Sequence, residues 1–257
     1  MPKIITLILI SLIVLLACSG KDKITVDNTP PNRPILVPHL GDYGDGSIEY
    51  NNQTIFLNDD NNGIDADPDG DWIRVSWEHF LDTDLDYARI YRFDEFNNIP
   101  TLIDSISSNN EYYLDSSSSL STYIRYSYFI EVVDNNGYMA VSDTVSYMLL
   151  SKQILISPAT ESYAYSDSIK FEWQKSGFVS KFRIMVFDDN HYYMWHSDLD
   201  VSFEEDFFEM DLPDNVLQNY LGEYIYWRVD AFDWDYELSM YVGSESNERT
   251  LYLQTRK

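Results

Sequence analysis

Polar and apolar residues alternate along much of this chain, and no long segment after residue 34 repeats with the period of a helix. Ile73, Val75 and Trp77 are apolar, and the residues between them are polar. Because successive side chains of a β-strand point to opposite faces, such a segment has one buried and one solvated face. Similar short segments recur, each flanked by Asp, Asn, Gly or Ser. This pattern predicts an all-β fold in which two sheets form a sandwich.

The alternating segments occur in two copies. Trp77 in the first copy matches Trp173 in the second, and a later segment ends at Asp134 in the first copy and at Asp233 in the second. The distance from Trp to Asp is 57 residues in one copy and 60 in the other. An internal repeat of this length predicts two domains of similar fold.

The repeated residues resemble the fibronectin type III family, in which a Trp lies on the second strand and a tyrosine corner precedes a turn. In the first copy Tyr126 matches the corner tyrosine, and residues 134–137, Asp-Asn-Asn-Gly, match the turn. The second copy has Ile225 at the corner position. The resemblance implies two tandem fibronectin type III-like β-sandwiches, which we place at residues 34–150 and 151–257.

A targeting segment precedes the repeats. Lys3 is followed by a nearly unbroken apolar run of 14 residues, Ile4–Ala17. This run is shorter than the roughly 20 residues that a membrane-spanning helix needs, and it ends at a polar stretch. We therefore expect residues 1–17 to be a secretory signal peptide. Residues 18–33 are polar and contain prolines, so we expect a semi-rigid linker there.

Cys18 is the only cysteine of the chain and directly follows the apolar run. The stretch Leu15-Leu16-Ala17-Cys18 resembles a bacterial lipobox. This resemblance implies that Cys18 is lipidated and that the lipid anchors the protein in the cell envelope, where each buried methylene contributes about 0.8 kcal/mol. Ser19 after the cysteine resembles the arrangement of outer-membrane lipoproteins in Gram-negative cells. The alternative is an ordinary cleaved signal peptide with a chance cysteine.

The formal net charge of the chain is −26 at neutral pH. Because nucleic acids are polyanions, a chain with this charge repels them, and we expect no nucleic-acid partner. Divalent cations and basic surfaces are the ligands that such a charge favours. A strongly acidic composition is also typical of a soluble surface without any binding site.

An aspartate-rich loop, residues 58–71, lies directly before Trp72. Alternate carboxylates in a flexible loop are candidate calcium ligands. The four candidate residues are Asp65, Asp67, Asp69 and Asp71. An EF-hand is excluded because position twelve of the loop holds Ser76 instead of a glutamate. The alternative is a solvated turn, since Asn, Asp, Gly and Pro all favour turns. Calcium is the one cofactor that the sequence suggests.

Aromatic residues of the second copy are candidate sugar-binding groups. Tyr193, Trp195 and Trp234 lie in stretches rich in aromatic residues. Exposed planar rings stack on sugar faces, and nearby polar side chains bind hydroxyls. These three residues are therefore our candidate glycan ligands. The alternative is that alternate members of the stretches face the core.

No catalytic signature occurs in the sequence: it has no Gly-x-Ser-x-Gly elbow, no His-Glu-x-x-His pair and no Gly-rich phosphate loop. We therefore expect no enzymatic activity. The sequence predicts a non-catalytic, membrane-anchored cell-envelope lipoprotein that acts as a spacer, adhesion or protein-interaction module. The alternative function is a glycan-binding surface lipoprotein. In either case the partner, an envelope protein or a glycan, is not identified by the sequence.

Overall fold

The computed structural model describes most of the chain beyond the predicted linker. The described ranges are residues 29–37, 47–50, 53–56, 66–67, 70–165, 169–213, 216–217, 220–237 and 239–254. The predicted signal peptide and Cys18 lie outside them. Every regular element in these ranges is a β-strand. Within the same ranges no helix is long and apolar enough to cross a membrane.

Eleven strands belong to the first copy of the repeat. They are β1 (Leu36–Val37), β2 (Ser47–Tyr50), β3 (Gln53–Phe56), β4 (Ala66–Asp67), β5 (Gly70–Trp77), β6 (Leu85–Asp94), β7 (Thr101–Ser107), β8 (Tyr112–Asp115), β9 (Arg125–Asp134), β10 (Met139–Val141) and β11 (Val145–Met148). One sheet pairs β5 with β1, β4 and β8. The facing sheet has the order β7, β6, β9, and both β10 and β11 pair with β9. Strands β2 and β3 form a separate hairpin.

The second copy contains nine strands. They are β12 (Ile154–Ser157), β13 (Ser162–Tyr165), β14 (Lys170–Gln174), β15 (Lys181–Phe187), β16 (Tyr193–Asp200), β17 (Phe207–Asp211), β18 (Tyr224–Asp235), β19 (Met240–Glu245) and β20 (Arg249–Gln254). One sheet has the order β12, β14, β17, and the other has the order β13, β20, β18, β15, β16, with β19 also on β18.

This strand order is that of two fibronectin type III-like sandwiches. In each copy the first, second and fifth strands of the family pattern share one sheet, and the remaining strands share the other. The predicted all-β tandem sandwich is therefore confirmed. The second copy has one strand without a counterpart in the described part of the first, because β13 runs parallel to β20 and extends its larger sheet.

The two tryptophans that defined the repeat lie in the two cores. Trp77 is 4% exposed, and its indole nitrogen donates to the carbonyl of Asn110 at 2.9 Å. Trp173 is fully buried and packs against the rings of Phe182 and Phe208, with centroids 5.5 and 5.9 Å away. Since inward side chains alternate with outward ones on each strand, both cores follow from the period of two in the sequence.

A tyrosine corner closes the first sandwich, as the family resemblance implies. The Tyr126 hydroxyl accepts from the backbone N–H of Ser121 at 2.9 Å and donates to the carbonyl of Ser119 at 3.2 Å. At the equivalent place in the second sandwich, Ile225 is fully buried in the core. Because isoleucine has no hydroxyl group, the second sandwich lacks this hydrogen bond.

An ion pair joins the two sheets of the first sandwich. Asp115 on β8 is 1% exposed, and its carboxylate accepts from Arg92 on β6 at 2.6 Å and from the Tyr128 hydroxyl on β9 at 2.8 Å. Burial, together with the nearby Asp115 carboxylate, raises the pKa of Tyr128 well above its usual value, so this phenol stays protonated. The buried charge thus has the partners that burial demands.

Candidate interaction surfaces

The segment between the two sandwiches is packed between them instead of forming an open linker. Leu149 and Leu150 are 2% and 1% exposed. Leu149 forms a parallel bridge with Gly243 of the second sandwich, and the Leu150 N–H donates to the Gly243 carbonyl at 3.1 Å. The Lys152 ammonium group donates to the carbonyl of Glu245 at 2.7 Å. A buried, hydrogen-bonded connection restricts relative domain motion.

Arg125 forms an ionic contact between the two sandwiches. Its guanidinium group lies 2.7 Å from the carboxylate of Asp235 and 2.9 Å from that of Glu237, both in the second sandwich. Glu95 of the first sandwich lies 3.6 Å away. The Arg125 side chain is 20% exposed, and that of Asp235 is 5% exposed. The hydrogen bond to Asp235, opposed in part by burial, raises the pKa of Arg125, so the charge persists at all ordinary pH values.

A second contact of the junction requires a glycine. The Tyr123 hydroxyl accepts from the N–H of Phe178 at 2.9 Å, and the two rings meet edge to face with centroids 6.4 Å apart. Gly177 has φ +73°, and a Cβ atom at this position would lie 1.7 Å from the Tyr123 hydroxyl oxygen. Only glycine permits this close approach. We call three features together the interdomain junction: the buried residues 149–150, Arg125 with its carboxylate partners, and the contact of Tyr123 with Phe178.

Charged side chains cover part of the outer face of the larger sheet in the second sandwich. Arg183 donates two hydrogen bonds to Asp198, at 2.7 and 3.1 Å, and Lys181 lies 2.9 Å from the same carboxylate. Partial burial raises the pKa of Asp198, but these two cations outweigh it and lower the pKa to about 2. The Asp198 carboxylate is therefore ionised under all physiological conditions.

A fully buried arginine continues this charged layer. Arg228 donates to Asp230 at 2.9 Å and to Glu245 at 2.6 Å, and all three side chains are 0% exposed. Charges buried so completely require close opposite partners, because removal from water is costly. This part of the sheet face is covered, so it offers no open surface to a ligand.

The opposite end of the same sheet face is open and consists of tyrosines. Tyr163, Tyr252 and Tyr224 lie side by side on β13, β20 and β18, since Tyr252 is the register partner of both others. The ring centroids of Tyr163 and Tyr252 are 5.6 Å apart, and those of Tyr224 and Tyr252 are 5.0 Å apart, each pair edge to face. Tyr163 is 67% exposed and Tyr224 is 48% exposed. We call these three residues the tyrosine row.

The three predicted glycan ligands do not form one surface. Trp195 packs against the core, opposite Val186. Tyr193 is partly buried, and its hydroxyl lies 2.5 Å from Nδ1 of His196. Trp234 is 39% exposed and packs edge to face on Tyr241.

A β-bulge and strand length separate these candidates. The register of β15 with β16 shifts between Val186 and Phe187, so Tyr193 and Trp195 are paired with neighbouring residues whose side chains point to opposite faces. Tyr226 on β18 lies level with Tyr193, because both pair with Phe187. Trp234 lies eight residues further along β18, which is about 27 Å in an extended strand.

The aspartate-rich loop is described only in part. Asp65 and Asp69 lie outside the described residues, and the side chain of Asp67 does too. The backbone of Asp67 pairs with Gly70, and β4 lies within 8 Å of β19 in the second sandwich. Asp71 is exposed on β5. No group of three or more metal-ligating side chains occurs among the residues that the structure describes. Calcium binding by this loop stays a prediction.

Sequence reasoning missed the tyrosine row and the junction. Tyr252 lies between the buried Leu251 and Leu253, and Tyr224 directly precedes the buried Ile225, so alternation places both on the outer face of the sheet. Their proximity depends on the parallel pairing of β13 with β20, for which the sequence carries no short motif. The signal available was the number of tyrosines, 21 in this chain.

Comparison with known proteins gives structural likeness only. No protein-family model matches the chain, and no curated protein matches it. Among solved structures, the chain is similar to the FN1–FN3 domains of chicken CNTN1, with 10% identity over 89% of this chain and 66% of that chain, at a TM-score of 0.35.

The chain is also similar to two structures of pectate lyase PelI from Erwinia chrysanthemi. One is a complex with tetragalacturonic acid, with 19% identity over 30% of this chain and 25% of that chain. The other has 12% identity over 51% of this chain and 30% of that chain, and the TM-score is 0.27 for both. The chain thus spans two thirds or less of each neighbour. The assignment to the fibronectin type III-like fold rests on the strand order itself.

Proposed function

We propose that this protein is a non-catalytic, lipid-anchored component of the cell envelope whose two sandwiches form a stiff spacer between the membrane and a partner. The observation that supports this most directly is the interdomain junction. A flexible tether would leave its backbone solvated, whereas residues 149–150 are buried and hydrogen-bonded to the second sandwich.

The chemistry of the junction supports the same proposal. Arg125 bridges to two carboxylates of the second sandwich, and Gly177 allows the Tyr123 contact. Inter-domain interfaces within a chain usually allow relative motion unless they are large and hydrophobic, so the restraint at this junction has to come from these specific contacts. Ionic, aromatic and backbone contacts at one junction restrain bending in more than one direction.

The anchor is the second part of the proposal and rests on the sequence. An apolar run of 14 residues ending directly before the only cysteine is typical of a lipoprotein signal. Acylation at Cys18 would place the sandwiches at the membrane surface, joined to it through residues 18–30, since Asn32 and Arg33 already contact Asp82 and Asp143 of the first sandwich.

Distance measurements between spin labels test the stiffness. We would introduce Ser105→Cys and Asp211→Cys, at exposed strand positions in the two sandwiches, into a Cys18→Ser background that has no other thiol. The expected result is one narrow distance distribution. Arg125→Ala should broaden it, because the contacts to Asp235 and Glu237 are lost.

The matched control is Arg89→Ala. Arg89 forms an ion pair with Glu131 at 2.6 Å within the first sandwich, so its removal leaves the junction intact. This variant should keep the narrow distribution. A broad distribution in the parent protein would rule out a stiff spacer.

A further inference from the structure

The tyrosine row is an open aromatic surface that the junction and the anchor do not use. Its three rings come from adjacent strands. Residues next to the rings along these strands, such as Leu251, Leu253 and Ile225, are buried in the core. These buried neighbours therefore fix the positions of the strands that carry the rings. A rigid array of this kind loses little conformational entropy when a ligand binds, because tyrosine has only two side-chain torsions.

We propose that the tyrosine row binds a neutral polysaccharide chain that lies across the strands of the sheet. This goes beyond the spacer function, which needs no ligand in the second sandwich. The ligand class follows from three properties of the row: its chemistry, its direction and its charge.

The chemistry of the row suits sugars. The exposed rings of Tyr163 and Tyr224 offer apolar surface to the C–H groups of a pyranose, and a phenol offers a donor and an acceptor to its hydroxyl groups. No aliphatic side chain interrupts the row. Gln254, the register partner of Tyr165, lies on the same face of β20 as Tyr252 and adds an amide group beside the rings.

The direction of the row suits a linear polymer. Tyr163 and Tyr224 lie on either side of Tyr252, two strand spacings apart, which is about 10 Å. The flanking rings are the most exposed, and the central ring is partly buried between them. A chain crossing the strands would meet successive rings with successive sugar units.

The charge around the row favours a neutral ligand. Glu161 precedes β13 and Glu223 precedes β18, and both are exposed. The chain as a whole has a net charge of −26. Acidic polymers such as polygalacturonate would be repelled by this surface.

The size of the row argues against a protein partner. A stable protein interface buries about 800 Å² on each side and involves roughly 20 to 30 residues with an apolar centre. The row has three rings with acidic residues beside it, and the adjoining sheet face carries the buried charges of Arg228 and its partners. A narrow line of rings fits a single extended chain better.

Affinity electrophoresis of the full chain tests the proposal. The probes are mixed-linkage β-glucan, xyloglucan and glucomannan, with polygalacturonate as the anionic comparison. The protein should be retarded by at least one neutral polymer and not by polygalacturonate. The double variant Tyr163→Ala and Tyr224→Ala should bind that polymer at least about 10-fold more weakly, equivalent to about 1.4 kcal/mol.

The controls separate binding from folding and from the spacer function. Tyr112→Ala combined with Tyr236→Ala removes two exposed tyrosines outside the row and should leave the retardation unchanged. Tyr163→Phe combined with Tyr224→Phe keeps the rings and should bind more strongly than the alanine pair. Arg125→Ala should also bind normally, so loss of the junction and loss of the row give different results.

Three outcomes would overturn the proposal. They are the absence of retardation by all three neutral polymers, equal retardation of the wild type and the alanine pair, and stronger retardation by polygalacturonate than by any neutral polymer. A dimer of the wild type that dissociates in the alanine pair, without any retardation, would assign the row to self-association instead.

Discussion

Arg125 of the first sandwich and Asp235 of the second form an ion pair at 2.7 Å in which both side chains are largely withdrawn from water. Because the two residues belong to different sandwiches, this pair ties the stability of one domain to the other. The strength of the tie is measurable, since residues in contact show non-additive effects on the free energy of unfolding.

A double-mutant cycle of Arg125→Ala and Asp235→Ala should give a coupling energy between about 0.5 and 3 kcal/mol. Urea unfolding of the four proteins supplies the free energies. The same cycle on Arg89 and Glu131, a more exposed pair within the first sandwich, serves as the comparison and should give a smaller value. Strict additivity of the first cycle would show that the pair does not couple the sandwiches.

Gly177→Ala should destabilise the protein more than Gly137→Ala does. Both glycines have positive φ, +73° and +84°, so both substitutions strain the backbone. Only at Gly177 does the new Cβ meet another atom, the Tyr123 hydroxyl oxygen at 1.7 Å, whereas nothing lies within 4 Å at Gly137. Thermal unfolding should therefore show a larger fall in melting temperature for Gly177→Ala.

Removing the Tyr123 side chain supplies the second half of that test. In the Tyr123→Ala background, Gly177→Ala should cost much less than in the wild type, because the clash with Tyr123 is gone and only the backbone strain and a 3.1 Å contact with the Ser151 hydroxyl oxygen remain. An unchanged cost of Gly177→Ala in that background would mean that Tyr123 is not the source of the clash.

Tyr126→Phe should lower the free energy of unfolding by about 1 to 2 kcal/mol. The substitution removes a hydroxyl that binds both the Ser121 N–H and the Ser119 carbonyl, and it leaves partly buried backbone groups without a partner. Tyr112→Phe, at an exposed position, is the control. If the two variants were equally stable, the tyrosine corner would not contribute to the stability of the first sandwich.

The ion pairs of Asp198 make stability depend on acid pH. Its pKa of about 2 lies below the value of about 3.9 expected in the unfolded chain. The unfolded state therefore binds a proton first, and the stabilisation is complete above about pH 4 and is lost as the pH falls towards about 2. Asp198→Asn should lower stability at neutral pH and flatten the fall in stability across this window.

Chemical denaturation at several pH values between 2 and 7 would measure this effect. The matched control is Asp200→Asn, which removes the same charge two residues along β16 at an exposed position. A wild type and an Asp198→Asn variant with parallel stability curves would contradict the prediction.

Cys18→Ala should abolish lipid attachment and move the protein from the membrane to the soluble fraction. Metabolic labelling with an alkynyl fatty acid followed by cell fractionation measures both effects. Ser19→Ala is the control for a change next to the cysteine and should retain the label. An unlabelled wild-type protein would leave an ordinary secretory signal as the explanation of the apolar run.

The core and the fold class could be predicted because they depend on local patterns. Alternation with period two placed Ile73, Val75 and Trp77 on one buried face, and the structure has all three in the core. The corner tyrosine, Tyr126, was equally readable, because its hydrogen bonds reach only five to seven residues along the chain.

The predicted sugar-binding residues show that alternation along a strand does not always predict which face of the sheet a side chain occupies. Tyr193 and Trp195 are two residues apart, and a regular strand would place them on the same face. A bulge between their register partners places them on opposite faces, and Trp195 packs against the core. Bulges have no reliable signature in a single sequence, because they depend on how the neighbouring strand pairs.

The sequence by itself determined the alternation that places Ile73, Val75 and Trp77 in the core, the presence of a repeat, and the acidic character that disfavours polyanions. Only the tertiary structure decided which residues from distant parts of the chain are in contact. Tyr163, Tyr224 and Tyr252 are brought together by pairing between strands far apart in the chain, and Arg125 meets Asp235 across 110 residues. Such contacts depend on register and domain packing, which long-range interactions select and which no window of the sequence contains.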